Sequence, residues 1–211
     1  SIFVVSVSAT LNVSHCVFYN NRAFSGGAVY VSGGHSSLFF SSVVFELNTA
    51  TVFGGAVYLQ TATSEVYSVS ATLNVSHCVF FNNRAANVGG AIFLPIGSVF
   101  SSTHSSFIKN SAGARGGAIY AQGNSGTGTP TQLHLTRVEL TENKQTNAST
   151  SFYYGGGGLY LSGHVTANIR ECLFVNNEAT EQLSAEKHGG QIMTLINSYG
   201  TPSITVVNTK F

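Results

Sequence analysis

The chain has 211 residues, a formal net charge of +1 and only 8% charged residues, and all eight acids are glutamate. Soluble domains carry about a quarter charged residues, so Ser, Thr, Asn and Gly must dress this surface, and its neutrality excludes an electrostatic nucleic-acid or anionic-membrane binder. No apolar run reaches the roughly 18 residues of a membrane helix, and no signal peptide is visible.

In chain order, the first strand-like stretch is Thr10–Val13, where polar and apolar residues alternate. It lies inside SVSATLNVSHCVFYNNRA, Ser6–Ala23, which returns as SVSATLNVSHCVFFNNRA at Ser68–Ala85, 62 residues later with one change. Within that repeat runs a shorter cycle of two marks, Phe-x-x-Asn followed by Gly-Gly-small-aliphatic-aromatic. The pairs open at Phe18 and Gly26, Phe45 and Gly54, Phe80 and Gly89, Phe107 and Gly116, Leu140 and Gly156, and Phe174 and Gly189. Successive first marks are 27, 35, 27, 33 and 34 residues apart, and Phe211 follows 37 residues after Phe174. No stretch offers a helix, because Gly and Ser interrupt every candidate. The spacing predicts an all-β parallel β-helix (solenoid) of about six coils with three short strands per coil. Residues 1–211 read as one β-helix segment, a fragment of a longer repeat protein.

Alternation assigns the faces. Val29/Val31, Val57/Leu59, Ile92/Leu94, Ile119/Ala121 and Leu159/Leu161 are expected to point inward and stack from coil to coil. Between them, Tyr30, Tyr58, Phe93, Tyr120 and Tyr160 are expected to form an outward aromatic stripe. The asparagines of the first mark, Asn21, Asn48, Asn83, Asn110, Asn143 and Asn177, are expected to form a side-chain amide ladder that satisfies turn backbone. The Gly-Gly pairs imply a tight corner or a close backbone approach. Cys16, Cys78 and Cys172 share the inward face as small apolar fillers, and stacking puts Cys16 and Cys78 about 10 Å apart, beyond disulfide reach.

The paired FxxN and GGA[IV] marks resemble the passenger repeats of chlamydial polymorphic outer-membrane proteins and related eukaryotic surface proteins. That resemblance implies a right-handed parallel β-helix of pectin-lyase-like architecture, with secretion or surface display, adhesion and self-association. The chain departs from the pattern at Leu140 and at the last module, GGQIM, and the stretches Lys144–Tyr154 and Glu178–His188 are expected to bulge as insertions.

Polysaccharide lyases and hydrolases share this architecture, but their acidic clusters are largely aspartate, which the chain lacks. Glu139, Glu142 and Glu171, with Arg137 and Arg170, are the nearest substitutes for a carboxylate pair. Calcium turns of the repeat-in-toxin kind also need aspartate. The His15–Cys16 and His77–Cys78 pairs point to opposite faces and make no zinc site. No catalytic residue, metal or cofactor is therefore expected. Asn12-Val-Ser14, Asn74-Val-Ser76 and Asn147-Ala-Ser149 are N-glycosylation acceptors for a eukaryotic source. The expected function is a non-enzymatic, extracellular or cell-surface structural and adhesive glycoprotein. It would bear covalent N-glycans and associate with itself or neighbouring surface proteins, as a filament or surface subunit. The alternative is a carbohydrate-binding or polysaccharide-degrading β-helix.

Overall fold

The computed structural model describes residues 1–5, 8–60, 71–124, 129–147, 155–180, 190–195 and 202–211. Among these there is no helix; the chain runs through short strands that stack into four sheets, two of seven strands and two of six. One turn illustrates the path. Val57–Gln60 lies in the first sheet, Thr72–Ser76 in the second, Val79–Phe81 in the third and Arg84–Ala85 in the fourth. Each strand then pairs in parallel with its counterpart one turn on. This is a parallel β-helix.

The expectation of three strands per coil is corrected to four. The reason lies in the corner before each ladder asparagine. Asn20, Leu47, Asn82, Lys109, Glu142 and Asn176 all hold φ between 52° and 56°, a left-handed conformation that bends the chain sharply within one residue. Pairing resumes at once beyond it, as in Arg84–Ala85 and Ser111–Ala112. Four of the six strands of the fourth sheet are two residues long, which leaves no alternation to read. By the same logic, the expected bulges do not begin where the spacing placed them. Lys144–Gln145 and Glu178–Ala179 are paired strands of the fourth sheet, and the remainder of both stretches, from 148 and from 181, lies outside the described residues.

The main core lies inside the coil, where like side chains stack from turn to turn. The ten inward residues of the first sheet named above are all 0–1% exposed. The first-mark residues sit in register, Phe18 on Phe45, Phe45 on Phe80, Phe80 on Phe107, Phe107 on Leu140 and Leu140 on Phe174. Their rings stack at 4.9, 4.6 and 4.6 Å from Phe18 to Phe107, within 6° of parallel. Leu140 fills the one gap without exposure. Each such buried side chain stabilises the rod by roughly 1.5–3 kcal/mol.

The two glycines of the corner serve different ends. Gly54 has φ +59°, and a Cβ there would stand 2.2 Å from the Val57 carbonyl oxygen. Gly55 is held by its neighbour instead: a Cβ would meet the Gly90 carbonyl oxygen of the next turn at 2.0 Å. The first glycine makes the corner and the second lets two turns touch.

Candidate functional site: the outer faces of the rod

The asparagine ladder fixes the frame. The Nδ2 of Asn21 donates to Asn48 Oδ1 at 2.9 Å, and the same bond recurs from Asn48 to Asn83, Asn83 to Asn110, Asn110 to Asn143 and Asn143 to Asn177. Each Oδ1 also accepts the backbone N–H of the preceding ladder asparagine. From Asn48 onward, each Nδ2 reaches back to the first-mark carbonyl of the turn before. Asn48, Asn83, Asn110 and Asn143 are fully buried, so every bond made there spares a dry polar group. The departure at GGQIM has a reason that the sequence reading missed. Asn177 Nδ2 donates to Gln191 Oε1 at 2.7 Å, so the glutamine supplies an acceptor in a place where earlier modules carry Ala or Gly. Gly189 lies outside the described residues.

The aromatic residues follow a different rule. Tyr30, Tyr58, Phe93, Tyr120 and Tyr160 stand outside the coil and stack in order with centroids 5.1–5.4 Å apart. Only Tyr30 and Tyr58 are half-buried; Phe93, Tyr120 and Tyr160 are 6%, 3% and 0% exposed. The expected outward stripe is thus corrected to a second, smaller core. Its cover comes from the residue before each Gly-Gly pair, the column Phe53, Val88, Arg115 and Gly155, whose members bridge one another in parallel. Phe53 packs 5.6 Å from Tyr58 and 5.4 Å from Phe93. The Arg115 guanidinium sits 5.8 Å from the Tyr120 ring centre and 5.7 Å from that of Tyr160, a cation–π contact with two rings. Burial pushes the Tyr58 phenol above its ordinary pKa, and the neighbouring Tyr30 adds to that rise.

Two of the three sequons, those of Asn12 and Asn74, lie on the second sheet, whose outer face is almost uncharged. Asn12, Phe39, Asn74, Ser101, His134, Asn168 and Thr205 form one outward column in register. Asn12 is exposed and Asn74 half-buried. Asn147 is exposed beyond the fourth sheet, and its backbone N–H donates to the Gly113 carbonyl at 2.9 Å. The other two residues of its sequon lie outside the described residues. Phe39, which no sequence motif singles out, is 42% exposed in the middle of the polar column.

The groups weighed for catalysis are engaged along the axis. Arg137 Nε donates to Glu171 at 2.7 Å, Lys109 pairs with Glu142 at 3.6 Å, and Glu139 Oε1 accepts from Thr141 Oγ1 at 2.8 Å. Arg170 ends the strand Val165–Arg170 of the second sheet and is exposed. His15, His77 and His104 take left-handed turn positions in one column. His77 and His104 stack at 5.0 Å and 2°, so their in-plane lone pairs run parallel and cannot converge on one ion. No group of three or more metal-binding side chains occurs among the described residues. Cys78 and Cys172 are buried, whereas Cys16, in the first turn, is exposed and does not fill the core as expected. Burial raises the pKa of both buried thiols, and their sulfurs accept the backbone N–H of Val43 and Val138.

Comparison with known proteins fits this geometry. The Chlamydia polymorphic membrane protein (Chlamydia_PMP) repeat matches three times, at residues 42–60, 77–95 and 104–122. Each match opens at a left-handed turn residue, Ser42, His77 or His104, and runs through the ladder asparagine and the Gly-Gly corner. These three segments are similar to that repeat. The chain is also similar to two further proteins. Metabotropic glutamate receptor-like protein R of Dictyostelium discoideum is 33% identical over 120 residues, 56% of this chain. The probable autotransporter YfaL of Escherichia coli (strain K12) is 31% identical over 140 residues, 65% of this chain. The matched region spans only 7% and 10% of the length of these relatives. No solved structure matches the chain. No helix among the described residues is long and apolar enough to cross a membrane.

Proposed function

We propose that this chain is a non-enzymatic, surface-displayed β-helix, secreted or held at the cell surface as structural and adhesive material. The observation that carries this reading is the threefold match to a membrane-protein repeat, and the likeness to an autotransporter supports it. The chemistry agrees. The carboxylates Glu142, Glu171 and Glu178 are tied to Lys109, Arg137 and Lys144 of the preceding turns, an arrangement suited to a solvated ridge and not to paired acid and base. Such a rod associates with further copies of itself or with neighbouring surface proteins, end to end or along its sides. Sedimentation of the purified chain over a range of concentrations, with micrographs of the same samples, tests association. Growth of filaments or lateral pairs is expected; a monomer at every concentration removes self-association from the proposal. Release of reducing sugar from any polysaccharide by the same sample would overturn the non-enzymatic reading.

N-glycosylation belongs to this proposal for expression in a eukaryotic secretory pathway, at Asn12, Asn74 and Asn147. The donor is a lipid-diphosphate oligosaccharide. A bond forms between the asparagine Nδ2 and sugar C1, the C1–O bond to the diphosphate breaks, the lipid diphosphate leaves and the amide gives up one proton. Intact mass at the value of the bare polypeptide would remove this part.

A further inference from the structure

We infer that Phe39 is a stacking platform for the first sugars of two N-glycans, one on Asn12 and one on Asn74. The inference rests on the glycosylation proposed above and adds a structural role to it. Phe39 pairs in register with Asn12 on one side and with Asn74 on the other. All three occupy the outward positions of adjacent strands, so the asparagine side chains leave the sheet on either flank of the ring.

Spacing makes the contact. Flat groups at equivalent positions one turn apart in this rod lie in van der Waals contact, as the Phe18–Phe45 and Phe45–Phe80 pairs show at 4.9 and 4.6 Å. A pyranose linked to Asn12 or Asn74 rises from the sheet beside the phenyl ring at that same separation. The axial C–H bonds of N-acetylglucosamine then meet the ring face, an arrangement favoured by both apolar burial and the negative face of the π-system. The two acceptors lie two turns apart, about 10 Å, which leaves one sugar for each face of the ring. A shallow depression bordered by Phe39, Asn74, Ser76, Ser101 and Thr103 lies on the same side. Its surface is mostly apolar and carries no charged group, which suits the C–H face of the sugar on Asn74.

This also accounts for Phe39 itself. The column continues as Asn, Ser, His, Asn and Thr, and one large apolar ring in it is 42% exposed. A sugar on either side covers that ring. The exposed neighbours of most other turns lack both a ring and flanking acceptors, so the contact is confined to the first three strands of the sheet.

The test uses the full chain secreted from a eukaryotic host that makes high-mannose glycans. Glycopeptide mass spectrometry first measures occupancy at Asn12 and Asn74. Trimming with endoglycosidase H then leaves one N-acetylglucosamine on each site. In that form, the ring proton signals of both sugars are expected to shift upfield under the Phe39 ring current, and the unfolding equilibrium constant to fall about threefold to tenfold relative to a Ser14→Ala, Ser76→Ala double variant. Phe39→Ser is expected to abolish both effects at unchanged occupancy. Phe39→Leu, which keeps apolar bulk without a ring, guards against loss of fold and is expected to remove the upfield shift alone. Occupied sites with unshifted sugar protons, or a stability difference that survives Phe39→Ser, would overturn the stacking role while leaving glycosylation intact. Bare asparagine at both sites would instead sink the glycosylation reading and this inference with it.

Discussion

Two aromatic stacks run along this rod, one inside the coil and one outside, and they obey the same period with different results. Inside, Phe18, Phe45, Phe80 and Phe107 stack within 6° of parallel, because packed side chains of the first three sheets and a ladder of asparagines leave each ring one position. Outside, the tilt varies from 15° between Tyr58 and Phe93 to 75° between Tyr120 and Tyr160. There the cover changes from turn to turn, from Phe53 to Val88 to Arg115. Periodic sequence guarantees that like residues meet. Only an enclosing wall of constant composition makes them meet in the same way.

Substitution is the most direct way to break this comparison. Phe80→Ala opens a void between two stacked rings and is expected to destabilise the rod by about 4 kcal/mol, read from denaturant unfolding. Tyr58→Ala removes a half-buried ring from the outer stack and is expected to cost about 1–2 kcal/mol; equal losses at the two sites would contradict the distinction. Between these lies Asn110→Ala. It strips the acceptor from the Asn83 backbone N–H and the amide bond from the Phe80 carbonyl, so a loss of about 3 kcal/mol is expected, together with faster amide exchange at Asn83.

Ser102 sharpens the comparison from the opposite direction. It occupies an inward position in register with Val75 and Leu135, is fully buried, and its hydroxyl has no hydrogen-bond partner among the described residues. Ser102→Ala is therefore expected to stabilise the protein by about 1 kcal/mol, seen as a raised thermal midpoint. A lowered midpoint would mean that the inner wall is less uniform than its geometry indicates.

The thiols give the smallest effect and a signed dependence on pH. Burial raises the folded-state pKa of Cys78 and Cys172. The unfolded chain therefore loses these protons at lower pH than the folded one. Their stabilising contribution is complete below the ordinary thiol pKa and is lost as pH rises through the folded-state values. Maleimide at neutral pH is expected to label Cys16 alone, and labelling of the other two should follow only on alkaline or denaturant opening.

Much of this fold was legible in the residues. The marks at Phe45 and Gly54, or at Phe80 and Gly89, announce a turn of the coil because a solenoid repeats its corners, and alternation around Val29 and Val57 names the inward face. The amide ladder was legible for the same reason, since one asparagine per turn has only its own copies above and below. The fourth strand was not legible, because from Arg84–Ala85 onward it is two residues long in each turn and too short to show a pattern. Nor was the cover over Phe93, Tyr120 and Tyr160, because Val88 and Arg115 differ in kind and share only a place.

What the sequence determined by itself is therefore everything that depends on identical residues meeting their own repeats one turn away: the solenoid, its corners, its inner column and its ladder. The tertiary structure alone decided which outward residues are buried and which remain in solvent. Burial there depends on contacts between unlike residues brought together across the edge of the coil, Arg115 over Tyr160 or Gln191 against Asn177. No period in the chain encodes such meetings, because Arg115 and Gln191 do not recur at the equivalent places of other turns.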